Sequence, residues 1–190
     1  RRHGVRAGER RVSQFELLQQ RRGGVVFLGD SLTQGGLWDE LFPGVDVRNR
    51  GVDGDTTGTA LARIHQVHAL APRKLFVMLG INDLNLRVPL AQTAAHLEDL
   101  FDGFDRALPS TRIHVQSVLP VNDAWIFEIE PAAIDALNAE LARQARERGY
   151  VFVDLRPAFA DADGRLRGDL SNDGLHLTGA GYAAWRQAIR

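Results

Sequence analysis

Short apolar-rich runs punctuate the chain at residues 25–28, 75–79, 113–119 and 150–153, stopped by Gly29, Gly80, Pro120 and Asp154. A run that is apolar on both sides of the backbone suits a strand covered on both faces, as in a parallel sheet. A weaker fifth run, Val45-Asp46-Val47 before Arg48 and Asn49, alternates as a strand nearer a sheet edge would. Between these runs the apolar positions change period. Leu61, Ile64 and Val67 fit one helical face, as do Leu90, Ala94, Leu97, Phe101 and Phe104. Ile134, Leu137, Leu141 and Ala145 form a third stripe, and Tyr182, Trp185 and Ile189 a fourth. Strand and helix alternating along the whole chain predict an α/β doubly wound sheet of about five parallel strands with helices on both faces. No low-complexity stretch or repeat breaks the pattern. One domain over residues 1–190 is expected, with 1–22 as an N-terminal arm or helix and the core starting at about residue 23.

Composition narrows the function classes. A chain of 190 residues buries enough surface to fold without a staple, and 44% hydrophobic with 25% charged residues is ordinary for a globular domain. No apolar run reaches the length of a membrane span. The 23 basic and 24 acidic residues nearly cancel, so there is no basic field for a nucleic-acid partner. The absence of Cys excludes disulfides, thiolate metal sites and a Cys nucleophile. All the basic residues but Lys74 are arginines, which reads as codon bias. Five of them fall among the first eleven residues, with no apolar stretch behind them. That opening does not read as a secretory signal, and the expected location is the cytoplasm.

In a doubly wound sheet, ligands bind outside the carboxyl ends of the strands. The residues after the runs are therefore the place to look. Ser31, in Gly29-Asp30-Ser31-Leu32-Thr33, follows a strand and precedes a helix expected near Gln34. It reads either as an N-cap or as a nucleophile at the open edge of the sheet. A serine nucleophile needs a base, and the base an orienting carboxylate. Of the six histidines, His3 lies in the arm and His65 and His68 share a helix as a solvated face. His96 falls on a polar helix side, and His114 sits inside a strand as a packed or bonded residue. His176 differs, because Asp173 precedes it by three residues in a polar loop before the last helix. Gly54 can offer an open backbone N–H and Asn82 a side-chain N–H from neighbouring strand ends, although each alone reads as a turn residue. Together these loops supply a nucleophile, an acid–base pair and two donors.

That ordered set resembles the SGNH (GDSL) hydrolases, and within them the bacterial esterases similar to platelet-activating factor acetylhydrolase. Ser31 matches the nucleophile block, Gly54 the glycine block, Asn82 the Gly-x-Asn-Asp block, and Asp173 with His176 the Asp-x-x-His block. The likeness covers roughly residues 12–189 and is carried most closely by residues 26–33, 48–56 and 173–178. It implies a flavodoxin-like sheet and an ester-hydrolysing activity without metal or cofactor, acting on a small-molecule ester of the acetyl type. It also implies a Ser31–His176–Asp173 triad, with Ser31, Gly54 and Asn82 around the oxyanion. Around the substrate, Leu119, Val121 and Trp125 are candidates for the acyl wall. Trp125, Ile126 and Phe127 would serve as a lid, as a homodimer contact, or simply as packing on the domain. Two other readings compete: a phosphate- or nucleotide-binding flavodoxin-like module, and a non-catalytic partner subunit. The first lacks a glycine-rich phosphate motif and would leave Asp173 and His176 idle.

Overall fold

A computed structural model describes residues 2–18, 21–122 and 129–190, the first six of these by backbone alone. In chain order, α1 (Arg2–Leu17) leads to β1 (Val25–Gly29), α2 (Ser31–Gln34), α3 (Trp38–Leu41) and β2 (Val47–Gly51). Next come α4 (Thr57–Ala62), α5 (His65–Leu70), β3 (Lys74–Met78), α6 (Ile81–Asn85) and α7 (Leu90–Ala107). The chain ends through β4 (Arg112–Gln116), α8 (Pro131–Glu147), β5 (Val151–Val153), α9 (Arg156–Phe159) and α10 (Gly179–Ala188). The strands form one five-stranded parallel sheet in the order β2-β1-β3-β4-β5, a flavodoxin-like arrangement.

β1 and β3 bury both faces, which is why their sequences are apolar almost throughout rather than alternating. Val26, Leu28, Leu75, Val77, Ile113 and Val115 point into one core, closed by residues of α4, α5, α7 and α8 such as Val67, Phe101, Phe104 and Leu137. Phe27, Phe76 and Met78 point into the other, against Leu32, Trp38, Phe159 and Trp185. There the Phe27 ring stacks on Trp38 at 4.1 Å and on Phe76 at 4.8 Å between centroids. Burial of such aromatic side chains contributes on the order of 2–3 kcal/mol each.

The expected fifth strand lies later than its apolar run suggests. β2 runs through Arg48, Asn49 and Arg50, while Val45 is exposed. Those polar residues are accommodated on an edge strand because each finds a partner: Arg48 donates to Gly23 O at 2.6 Å, and Asn49 ties down α2 as described below. The helical stripe at Leu61, Ile64 and Val67 belongs to two short helices that break at Arg63 and Ile64. The N-terminal arm is a helix docked on the sheet edge: Phe15 is buried beneath the Arg50 guanidinium, and Arg11 Nε donates to Gly51 O at 2.7 Å. In register, Gly29 pairs with Gly51 on one side and Met78 on the other, so β1, β2 and β3 end level.

Candidate active site

Ser31 is the first residue of α2, which begins three residues earlier than the sequence suggests. The N-cap is Asp30, not Ser31: Asp30 Oδ1 accepts the Leu32 N–H at 3.0 Å. The Ser31 hydroxyl is thereby left for another partner, and its Oγ lies 3.0 Å from His176 Nε2. On the far side of the ring, His176 Nδ1 is 2.7 Å from Asp173 Oδ2. Asp173 Oδ1 accepts the backbone N–H of Leu175 at 2.9 Å and of His176 at 2.7 Å. Burial pushes the Asp173 carboxyl up, but the His176 ring and these two N–H groups outweigh it and hold the carboxyl below its ordinary value. A carboxylate only accepts, so the neutral ring carries its proton on Nδ1 and turns Nε2 toward Ser31 as an acceptor. The loop bearing both residues is pinned by Asn122 N–H to Gly174 O at 2.8 Å and Thr178 N–H to Leu170 O at 2.9 Å.

The candidate donors stand after the ends of β1, β2 and β3. Gly54 follows β2 in a left-handed turn with φ of 76°, where a Cβ would be strained although nothing lies within 4 Å of it. Neither its N–H nor that of Ser31 donates to another group among the described residues. Asn82, in α6, donates one side-chain N–H to Asp55 O at 2.8 Å, which leaves the second free. Gly51 is required for a different reason. A Cβ there would come 2.2 Å from Gln34 N, so α2 seats on the end of β2 only because Gly51 has no side chain.

Several supporting residues had no role in the sequence reading. Asn49 Nδ2 faces the carbonyls of Thr33 and Gln34, each at 3.0 Å, and of Gly36 at 3.1 Å, while its Oδ1 accepts the Gly51 N–H at 2.8 Å. It thus holds the C-terminal end of α2. Tyr182 donates to Leu32 O at 2.8 Å from α10. Asp83, fully buried, accepts from Thr57 N–H at 2.9 Å and Thr57 Oγ1 at 2.6 Å, locking α6 to α4. The available signal was polarity in the wrong place: Asn49 inside a strand, and Arg63 one turn from buried Ala60 and Val67 on a helical face.

The candidate acyl wall fares differently. Leu119 is 1% exposed and belongs to the Phe27–Trp185 core, so it does not present a surface to substrate. Val121 is 6% exposed and lines a cleft with Pro120, Pro131, Ile134 and Arg156, whose walls include neither Ser31 nor His176. Trp125, with Ile126 and Phe127, lies outside the described residues. Of the other histidines, His65 is exposed and bonded to Glu16 Oε1 at 2.9 Å. His68 is not on a solvated face, since it lies edge-on to Phe104, and His114 stacks on Phe76. His96 Nδ1 comes 3.3 Å from Thr57 Oγ1.

The sequence profile described as GDSL-like Lipase/Acylhydrolase family matches residues 27–184. The chain belongs to the GDSL-like lipase/acylhydrolase family. Among its relatives, the platelet-activating factor acetylhydrolase IB subunit alpha1 of Pongo abelii is 29% identical over 173 residues, 87% of this chain and 73% of the relative. The alpha2 subunit of Homo sapiens is 27% identical over 170 residues, 84% of this chain and 71% of the relative. A solved structure from Streptococcus pneumonia, provisionally described as a platelet activating factor, superposes with a TM-score of 0.91 at 26% identity. That match covers 99% of this chain and 93% of the other. Family and relatives make this GDSL-like chain an ester hydrolase. Among its described residues, no helix is long and apolar enough to cross a membrane.

Proposed function

We propose that the protein is a serine esterase that hydrolyses short-chain, acetyl-type carboxylic esters through Ser31, His176 and Asp173. One observation carries this reading: the unbroken chain of contacts from Asp173 Oδ2 to His176 Nδ1 at 2.7 Å and from His176 Nε2 to Ser31 Oγ at 3.0 Å. In the first step Ser31 Oγ attacks the ester carbonyl while His176 Nε2 takes the hydroxyl proton. The developing oxyanion is received by the N–H groups of Ser31 and Gly54 and by the free side-chain N–H of Asn82. Collapse of the tetrahedral adduct expels the alcohol, which leaves with the proton from His176 Nε2. Water then attacks the acyl-serine with His176 again as base, returning free Ser31 and a carboxylic acid. Asp173 stays ionised throughout and stabilises the imidazolium.

The acetyl preference is supported by the relatives named acetylhydrolases and by the packing behind the nucleophile. Leu32, next to Ser31, is 1% exposed in a closed core, so no apolar tunnel opens on that side of the nucleophile. A p-nitrophenyl ester series of increasing chain length tests this directly. Activity should be highest for acetate, fall steeply beyond short acyl groups, and vanish in Ser31→Ala. A flat or rising chain-length profile would overturn the acetyl preference, and Ser31-independent turnover would overturn the nucleophile.

A further inference from the structure

The three proposed oxyanion donors come from three different segments, and nothing in their own local sequence fixes their spacing. A single buried side chain reaches two of these segments directly and the third through Asp55. Arg63 follows α4, is 4% exposed, and donates through Nε to Asp55 Oδ2 at 2.6 Å. Its NH2 group donates to Gly29 O at 3.3 Å and to Arg50 O at 2.9 Å. Gly29 closes β1, two residues before Ser31, and Arg50 precedes the last residue of β2. Asp55 directly follows Gly54, is 6% exposed, and its backbone carbonyl is the acceptor that orients Asn82. Its second carboxylate oxygen accepts from Thr59 Oγ1 at 3.0 Å, so the side chain cannot swing.

We propose that Arg63 is a positioning residue for the oxyanion hole, its guanidinium welding the Ser31, Gly54 and Asn82 loops into one rigid donor set through Asp55, Gly29 O and Arg50 O. The inference rests on the reading of these three residues as oxyanion donors. Stability alone is a poor explanation for the pair, because buried ion pairs are often matched or exceeded by apolar replacements of similar volume. Geometry is a better one. A planar guanidinium presents donors in fixed directions and can span three acceptors on separate elements, whereas a lysine ammonium is a single flexible point charge. Donors must sit where charge develops in the transition state, and a misplacement of about 1 Å costs on the order of 10²-fold in rate.

The test uses Arg63→Lys, which keeps the charge but not the fork. Beside it stands the double variant Arg63→Met with Asp55→Asn, which removes both charges and keeps the Asp55 backbone carbonyl. Folding is checked by circular dichroism and Tm, so that whichever variant is folded carries the result. Two quantities are read: hydrolysis of p-nitrophenyl acetate, and the hydrogen exchange of the Asn82 side-chain amide by NMR. We expect the folded variants to lose about 10–10² in kcat with KM within about threefold, and to exchange the Asn82 amide at least about tenfold faster. A folded variant with wild-type kcat, or with unchanged exchange at Asn82, overturns the proposal. If the wild type shows no Ser31-dependent hydrolysis, the esterase reading fails, and the exchange measurement alone then decides whether Arg63 holds the donor set.

Discussion

The two halves of the site are built by opposite means. On the acid–base side, Asp173 and His176 are three residues apart, and their side chains remain 35% and 43% exposed. One loop supplies both, held by hydrogen bonds among its own residues and by the Asn122 N–H on Gly174 O. On the donor side, the Arg63 and Asp55 side chains are 5% and 8% exposed and join elements 8 to 34 residues apart. A local arrangement can be half-open because an i, i+3 loop needs little help to bring its ends together. A long-range one has to be buried and bonded to several elements at once, since only packing fixes groups that the chain does not already hold close. The moving proton therefore lies at the surface, and the ion pair that supports the donors lies beneath it.

Breaking the acid–base side should give the largest effects. Ser31→Ala is expected to lower kcat by about 10⁵–10⁶ while leaving Tm within about 2 °C, because the hydroxyl is bonded to His176 and not into the core. Steady-state kinetics with p-nitrophenyl acetate and a thermal scan read both quantities. Residual activity above about a thousandth would give the nucleophile to another residue. Asp173→Asn comes next, at about 10²–10⁴ in kcat. An amide at this position can still accept from Leu175 and His176, so the loop survives, but it no longer fixes the ring proton on Nδ1. A loss confined to KM would show that Asp173 orients substrate and not the imidazole.

The donor side should respond less, and differently. Asn82→Ala is expected to lower kcat by about 10²–10³ with KM little changed, since an oxyanion donor acts only in the transition state. It also removes the bond to Asp55 O, so a fall in Tm accompanies it. Comparing Asn82→Ala with Asp173→Asn sharpens the contrast: the first should lose both rate and stability, the second mainly rate. Equal losses of stability in the two variants would erase the distinction between a local and a welded half.

The same contrast explains what could be read from the sequence. The parallel sheet was legible because its strands are apolar on both faces, and the pair Asp173 and His176 because it lies within one loop. β2 was placed too early because pattern reading follows hydrophobicity, and this edge strand pairs through Arg48, Asn49 and Arg50. Asn49, Asp83 and Arg63 were invisible in their roles, since each is defined by hydrogen-bond partners far away in sequence. Leu119 was misplaced for the converse reason: a large apolar side chain at a strand end reads the same whether it lines a pocket or fills a core. The candidate reactive residues carry a motif, and their scaffold carries none.

The smallest expected effect on catalysis sits between the two halves, at Asp30, and is read as stability. Asp30 caps α2 through Oδ1, while its Oδ2 is buried without a partner among the described residues. Burial pushes its carboxyl up to about 7, with Asp55 adding to the rise and the Leu32 N–H and His176 opposing it. Asp173 shows the opposite sign, held low by its hydrogen bonds. For Asp173, the contribution to stability is present above the unfolded value and is lost as pH falls. For Asp30 the folded state binds its proton more tightly than the unfolded chain. That contribution is complete below the unfolded value of 3.8 and is lost as pH rises through about 7. Asp30→Asn keeps an oxygen for the Leu32 N–H and removes the charge. The variant should therefore match the wild type in Tm near pH 4 and gain on it progressively toward pH 8, by an amount on the order of 1–4 kcal/mol. Subtracting the two Tm profiles cancels the titration of the carboxylates common to both proteins. A difference that is flat across this range, or that grows toward acid, would show that Asp30 is ionised in the folded protein at pH 4 and that its cap is a charged one.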